Sequence, residues 1–393
     1  MCMFRVGVFV TALLIGFGLV HPAAAAKQFI FPAQEDHCHS STIVALPNGG
    51  LLAAWFQGSG ERQADDVRIM GARLPKGADT WGPVFEMADT PGLPDCNPVL
   101  FLDTQERVWL FWTAVMANKW ETSLLKYRRA DTWEGGGAPA WDWQDTIVLK
   151  PGGDFADKIA AGFEAIDYDQ DMWAEYALPY DRQLVEAAQD KTKRRMGWMT
   201  RCHVHTLPSG RIVLPVYSDG FNLGLIAYSD DDGATWQASA PIVGLGPIQP
   251  AIVRKDGGTL VAYCRDSGPD PRRALVATST DQGETWSTAT DTDLAASSAS
   301  VQICALEDGR WLLVHNDTEE GRHRLALSVS QNEGDTWEVA RYLEDKPADT
   351  GSFAYPSIIQ AADGVVHITY SHHTPAGRTI AHVDLAPGAI EDR

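Results

Sequence analysis

The chain has 393 residues, a formal net charge of −20, 45% hydrophobic residues and 14 tryptophans. That composition excludes a disordered chain, which is poor in aromatics, and supplies ample material for a core. The acidic balance, with no Lys/Arg stripe to neutralise phosphates, argues against a nucleic-acid partner.

The first 26 residues read as a cleavable leader. Arg5 closes a short basic start, 6–20 is an apolar run, and His21-Pro22-Ala23-Ala24-Ala25-Ala26 supplies small residues for cleavage. One mature domain over 27–393 is therefore expected, exported as a secreted or periplasmic protein. No later segment is apolar for long enough to form a membrane-spanning helix. Five cysteines follow the leader: Cys38, Cys96, Cys202, Cys264 and Cys304. An odd number without CxxC spacing reads as buried apolar side chains, not a disulfide framework.

Along the chain the dominant signal is repetition. Ile43, Val99, His205, Ile252, Ile303 and Ile358 each open an apolar run, a turn and a second apolar run, with turns near 49, 107, 210, 257, 309 and 364. These read as six buried β-hairpins at the interval of propeller blades. A second repeat punctuates the later ones. Ser229-Asp230-Asp231-Asp232-Gly233-Ala234-Thr235-Trp236 recurs at 279–286 and 330–337, with tryptophans 50 and 51 residues apart. In each copy Ser and Asp or Asn bond the turn backbone, Gly takes a positive φ, and Trp packs between repeats. Degenerate copies end at Trp81 and Trp133. The region 155–195 breaks the pattern and reads as a helical, surface-exposed insertion between blades two and three. The expected fold is all-β, a six-bladed propeller rather than a seven-bladed one.

These S-x-[DN]-x-G-x-T-W boxes on repeats of this length, after a leader, resemble the sialidase (neuraminidase) superfamily. The resemblance covers about 34–383 except the insertion. It implies a six-bladed propeller; the boxes themselves mark fold and not activity.

Aligned on their turns, the inner strands carry polar residues at one phase: His39-Ser40, Asn97-Pro98, Thr200-Arg201, Ile248-Gln249, Ala299-Ser300 and Ala354-Tyr355. A buried structural strand has no need of such residues, so the shared phase points to a site at the mouth of the channel. The resemblance implies a tyrosine activated by Glu, an Asp acid/base and three arginines gripping a carboxylate. Tyr355 matches the tyrosine, Arg265 the second arginine and Arg322, with Arg324 as the neighbouring option, the third. Asp66 or Asp65 occupies the loop of the acid. The sequence departs from the pattern at three places: His39 stands where the first arginine is expected, Gln249 where the Glu is expected, and Tyr370-Ser371 where the last blade usually carries Glu. Arg201 is a candidate replacement in the carboxylate grip, with Asn97 beside it.

His37, His39, His203 and His205 also gather at strand mouths. His-x-His spacing puts two rings on one strand face, but no third ligand falls at a standard spacing, so no metal is assigned. His372-His373 reads as solvated. No cofactor motif is present. Three functions follow: a glycosidase removing a terminal acidic sugar, a uronate lyase using His39 or His203 with Tyr355, and a non-catalytic glycan-binding propeller. The expected partner is an acidic glycan and the expected state a monomer.

Overall fold

The computed structural model describes residues 26–168 and 179–391. The leader expected over 1–26 lies outside them, apart from Ala26. Six antiparallel sheets form six blades around a channel. Each blade runs from an inner strand outward, as in blade one: His37–Ala45, Leu51–Gly58, Arg68–Leu74 and Phe85–Ala88. Inner strands of the others are Asp95–Leu102, Pro247–Arg254, Gln302–Ala305 and Ser352–Gln360, while blade three uses two short pieces, Met199–Thr200 and His205–Thr206. The sixth blade is completed by the other end of the chain: Ala26–Phe29 pairs with Gly377–Leu385 as its outermost strand. Lys27, on this closing strand, forms an ion pair with the buried Glu344 of blade five.

Apolar clusters lie between blades. Blades one and two meet through Phe56, Met87, Leu110 and Trp112, and blades five and six through Leu312, Leu327, Ile358 and Ile368. The boxes seal these seams. Gly233 N–H donates to Ser229 Oγ at 2.8 Å and Thr235 N–H to Asp231 Oδ1 at 2.8 Å, which fixes the turn. Trp236 then meets Phe111 of the preceding blade edge-on. The degenerate copies behave alike: Trp133 is buried in the seam of blades one and two, and Trp81 packs edge-on against His382 of blade six. The five cysteines of the described residues are unpaired, and all but the half-buried Cys304 are buried.

The insertion between blades two and three is helical, with α1 at Phe155–Glu164 and α2 at Tyr180–Gln189. It is more than a surface attachment. Phe155, Ile159, Phe163, Tyr180 and Leu184 join one cluster with Trp198, Phe221 and Val243. Apolar residues at helical spacing on both helices found a partner in the exposed flank of blade three. Segment 169–178 of the insertion lies outside the described residues.

Candidate functional site

The polar phase seen in the sequence corresponds to one backbone device. Four inner strands slip register at their mouths, between His39 and Thr42, Cys96 and Val99, Ile248 and Ala251, and Ala354 and Ser357. Within each slip one non-glycine residue adopts a left-handed backbone: Ser40, Asn97, Gln249 and Tyr355, with φ of 59, 51, 53 and 56°. Three of them precede proline, where helical backbone is further disfavoured. Such bulges cost conformational energy and re-aim a side chain, and they persist where the surroundings hold them.

Blade three supplies the hold. Its inner strand is broken at 201–204, and these residues cross the channel. Thr200 Oγ1 donates to Asn97 O at 2.7 Å, Cys202 Sγ to Gln249 O at 3.3 Å, and Arg201 Nη2 to Pro356 O at 2.7 Å. His203 Nε2 lies 2.6 Å from Ser357 Oγ. The carbonyls freed by the bulges of blades two, four and six are thus bound from blade three, as buried backbone oxygens require.

Above the bulges opens a cavity of about 470 Å³, to which every blade contributes. Tyr355 stands at its centre. Its Oη accepts a hydrogen bond from Arg265 Nη1 at 2.9 Å and another from Gln249 Nε2 at 3.3 Å. The Arg322 guanidinium lies 5.4 Å from the Tyr355 ring centre, and the His39 ring centre 4.1 Å away. Asn97 of blade two reaches the adjacent blade three, donating from Nδ2 to Tyr217 Oη at 3.2 Å. Trp120, Asn222 and Ser267 complete the rim.

Two carboxylic acids face this cavity, Glu61 and Asp219. Burial raises the pKa of both, against the opposing pull of arginines that include Arg62 and Arg265. Burial also raises Tyr217 well above the ordinary phenol range, with the charge of Asp219 adding to it. The histidines shift the other way. Burial lowers His39 well below its usual value, with His373, Arg322, His37 and Arg201 contributing.

The structure brings Tyr355, Arg265, Arg322, Gln249, His39 and Asn97 together. It separates others. Arg201 is 1% exposed, its guanidinium 4.9 Å from the Tyr355 ring centre and bonded to backbone; it ties bulges and does not border the cavity. Asp66 turns back to accept from Ser59 N–H and Oγ, and Asp65 accepts from Asn118 Nδ2. The carboxylate of that loop that reaches the cavity is Glu61, which the sequence reading passed over because Asp was the expected type. Asp219, Tyr217 and Trp120 were also missed, since they sit beyond inner strands, where alignment on the hairpin turn gives no phase.

His203 faces a second cavity with His205, Leu100 and Ile359, away from Tyr355 Oη. His37 packs behind His39 and does not line the site. His372 and His373 are half-buried and not freely solvated: His372 packs on Phe353, His373 Nε2 lies 2.6 Å from Cys38 O, and the His373 ring sits 5.6 Å from both His37 and His39. Arg324 points elsewhere, to Tyr342, Asp317 and Asp345. Among the described residues no group of three or more His, Cys, Asp or Glu stands in metal-ligating geometry. No helix of the described residues is long and apolar enough to cross a membrane.

A six-bladed propeller with Tyr355 and two arginines at one mouth defines a protein of the sialidase/BNR class. The BNR repeat-like domain family matches residues 49–152 and 182–368, and the chain belongs to it. A sialidase of Micromonospora viridifaciens is 31% identical over 170 residues, which is 40% of this chain and 25% of that protein. The chain therefore matches about a quarter of that relative's length. Among solved structures, a protein of Dyadobacter fermentans superposes with a TM-score of 0.65 at 17% identity, covering 93% of this chain and 98% of that one. The leech intramolecular trans-sialidase gives 0.67 at 14% identity, over 93% and 71% of the two chains. The NanB sialidase of Streptococcus pneumoniae gives 0.66 at 12% identity, over 92% and 71%. At these identities the superpositions show the fold.

Proposed function

We propose that this protein is an exported glycoside hydrolase that releases a terminal acidic sugar. The observation that carries this reading is the 2.9 Å hydrogen bond from Arg265 to Tyr355 Oη, with Arg322 on the same ring. Guanidinium groups are the natural partners of a carboxylate. A carboxylate held by Arg265 and Arg322 puts the carbon that bears it against Tyr355 Oη. In a keto-acid sugar such as a sialic acid, that carbon is the anomeric centre, and attack there leads to hydrolysis.

Each remaining group has a task in such a site. Tyr355 Oη accepts from two N–H donors, which fix the phenol oxygen in the cavity. With Gln249 in place of a carboxylate, no base stands on Tyr355 Oη from blade four, and the proton that the phenol loses on attack passes to solvent in the cavity. Glu61, its pKa raised by burial, suits protonation of the leaving oxygen and then deprotonation of water. The similarity to a sialidase over 170 residues supports the same class of substrate.

The contact of His39 with Tyr355 favours a second reading. In a uronate, the carbon bearing the carboxylate is C5, and proton abstraction there leads to elimination. The products separate the two. Incubation with sialylated oligosaccharides, uronate-terminated oligosaccharides and oligosaccharides that carry a 4-O-linked uronate should release a free acidic sugar without near-ultraviolet absorbance. An unsaturated product would make the protein a lyase. Saturable binding with neither product would make it a glycan-binding propeller.

A further inference from the structure

We infer that His39 is the third member of the carboxylate grip and that it works by taking up a proton when the acidic sugar binds. The inference rests on the hydrolase reading, because it concerns the same site. His39 lines the cavity, is 7% exposed, and its Nδ1 is buried without a hydrogen-bond partner. An unsatisfied buried ring nitrogen on a residue that shares its cavity with Arg265 and Arg322 marks an incomplete site. An arginine in that position would carry its charge permanently. A histidine carries it only when protonated.

The surroundings keep His39 neutral in the empty site. On its own strand stands His37, itself held near 4 by burial first. From blade six comes His373, whose pKa is lowered by burial first and by the charges of Arg378 and Arg322, against the opposing pull of its hydrogen bond to Cys38 O. Tyr355 packs on the ring face. Arg322 from blade five and Arg201 from blade three add positive charge. Glu61 and Asp219 are the acids of the same cavity. Burial is the first cause that keeps the His39 ring neutral, and the positive charges of Arg322 and Arg201 add to it while favouring an anion in the cavity. A bound carboxylate offsets Arg322 directly, so protonation of His39, costly in the empty cavity, becomes favourable in the filled one.

Linkage then fixes the direction. Between the pKa of His39 in the empty site and its higher value in the complex, binding takes up close to one proton. Affinity therefore rises about tenfold for each pH unit of acidification. The acidic sugar is gripped in acid and released toward neutrality. A purely arginine-based clamp, by contrast, is indifferent to pH in this range.

Isothermal titration of the whole protein with N-acetylneuraminic acid, its 2,3-dehydro analogue and glucuronic acid tests this. Titrations between about pH 5 and about pH 8 should show tightening of about tenfold per unit over part of the range, with buffer-dependent heats reporting proton uptake. His39→Arg should flatten that slope and retain binding near pH 8. His39→Gln should bind weakly at every pH. Thermal melting of each variant confirms folding, and the wild-type heats stand without any variant. Binding with a flat pH profile and no proton uptake overturns the role of His39 alone. So does an unchanged slope in His39→Arg, which would pass the titration to Glu61 or Asp219. No binding of any of the three sugars at any pH overturns the carboxylate grip itself, and this inference with it.

Discussion

At the scale of single residues, the centre of the site is a phenol held by donors. Removing the oxygen in Tyr355→Phe should abolish turnover while the melting temperature stays close to wild type, because the hydroxyl faces the cavity. Arg265→Ala removes a donor to Tyr355 and, on the proposed function, a partner for the carboxylate, so kcat/KM should fall by about 10²–10³. The acid assignment has a sharper test. Glu61→Gln should lower the rate on natural oligosaccharides by about 10²-fold, and far less on an aryl glycoside whose leaving group needs no proton. Asp66→Asn, in a side chain committed to Ser59, should leave both rates within about threefold. The reverse pattern would move the acid to Asp66. The tyrosine and the two arginines were legible because each ends or opens a recognisable strand. Glu61 was not, because a ten-residue loop carries no periodicity, and which of its acids turns inward depends on Asn118 and Ser59 capturing the others.

At the scale of elements, the bulged inner strands and the boxes do different work. The bulges aim Asn97, Gln249 and Tyr355, and the broken strand of blade three binds the carbonyls they free. That explains the fate of Arg201: it shares the polar phase, yet its strand is interrupted there and its side chain runs under the site instead of into it. The boxes close the seams. A Cβ on Gly233, at φ +81°, would lie 2.6 Å from Trp109 Cη2 of the preceding blade. At Gly210, φ +91°, a Cβ meets nothing within 4 Å. Both alanine variants carry the backbone cost of about 1 kcal/mol. Gly233→Ala should lose at least about 1 kcal/mol more in denaturant unfolding, since overpacking a seam typically costs 1–3 kcal/mol. Equal losses would show that the box turn is not pressed against its neighbour. The insertion follows the same logic of seams: its helical period was visible, but the surface it covers belongs to blade three.

For the whole molecule, acid is the expected weakness. Burial holds His203 near 3, His205 near 4, His37 near 4 and His382 near 3, all below the ordinary value of 6.5. An unfolded chain takes up protons on these rings below pH 6.5 while the folded one does not. Their share of stability is therefore complete above pH 6.5 and is lost as the pH falls toward 3–4. Asp95 and Asp266, raised by burial to about 6, act in the opposite sense between about 6 and 4, with smaller shifts. The melting temperature should drop by roughly 5–10 °C between pH 7 and pH 4.5. A melting temperature that rises over this interval would show that the buried acids dominate.

The 14 tryptophans and the spaced boxes were enough to specify a propeller of six blades, because a repeat that buries its own hairpin and seals its neighbour writes the same short pattern each time. The shared polar phase of the inner strands was enough to place a site at their mouths. What needed the tertiary structure was the division of labour among those polar residues. Whether Arg201 grips substrate or backbone, whether His373 meets solvent or His39, and which acid enters the cavity depend on contacts between residues tens to hundreds of positions apart. Such contacts leave no periodicity in a chain, since they are set by where bulges aim side chains once the blades have closed.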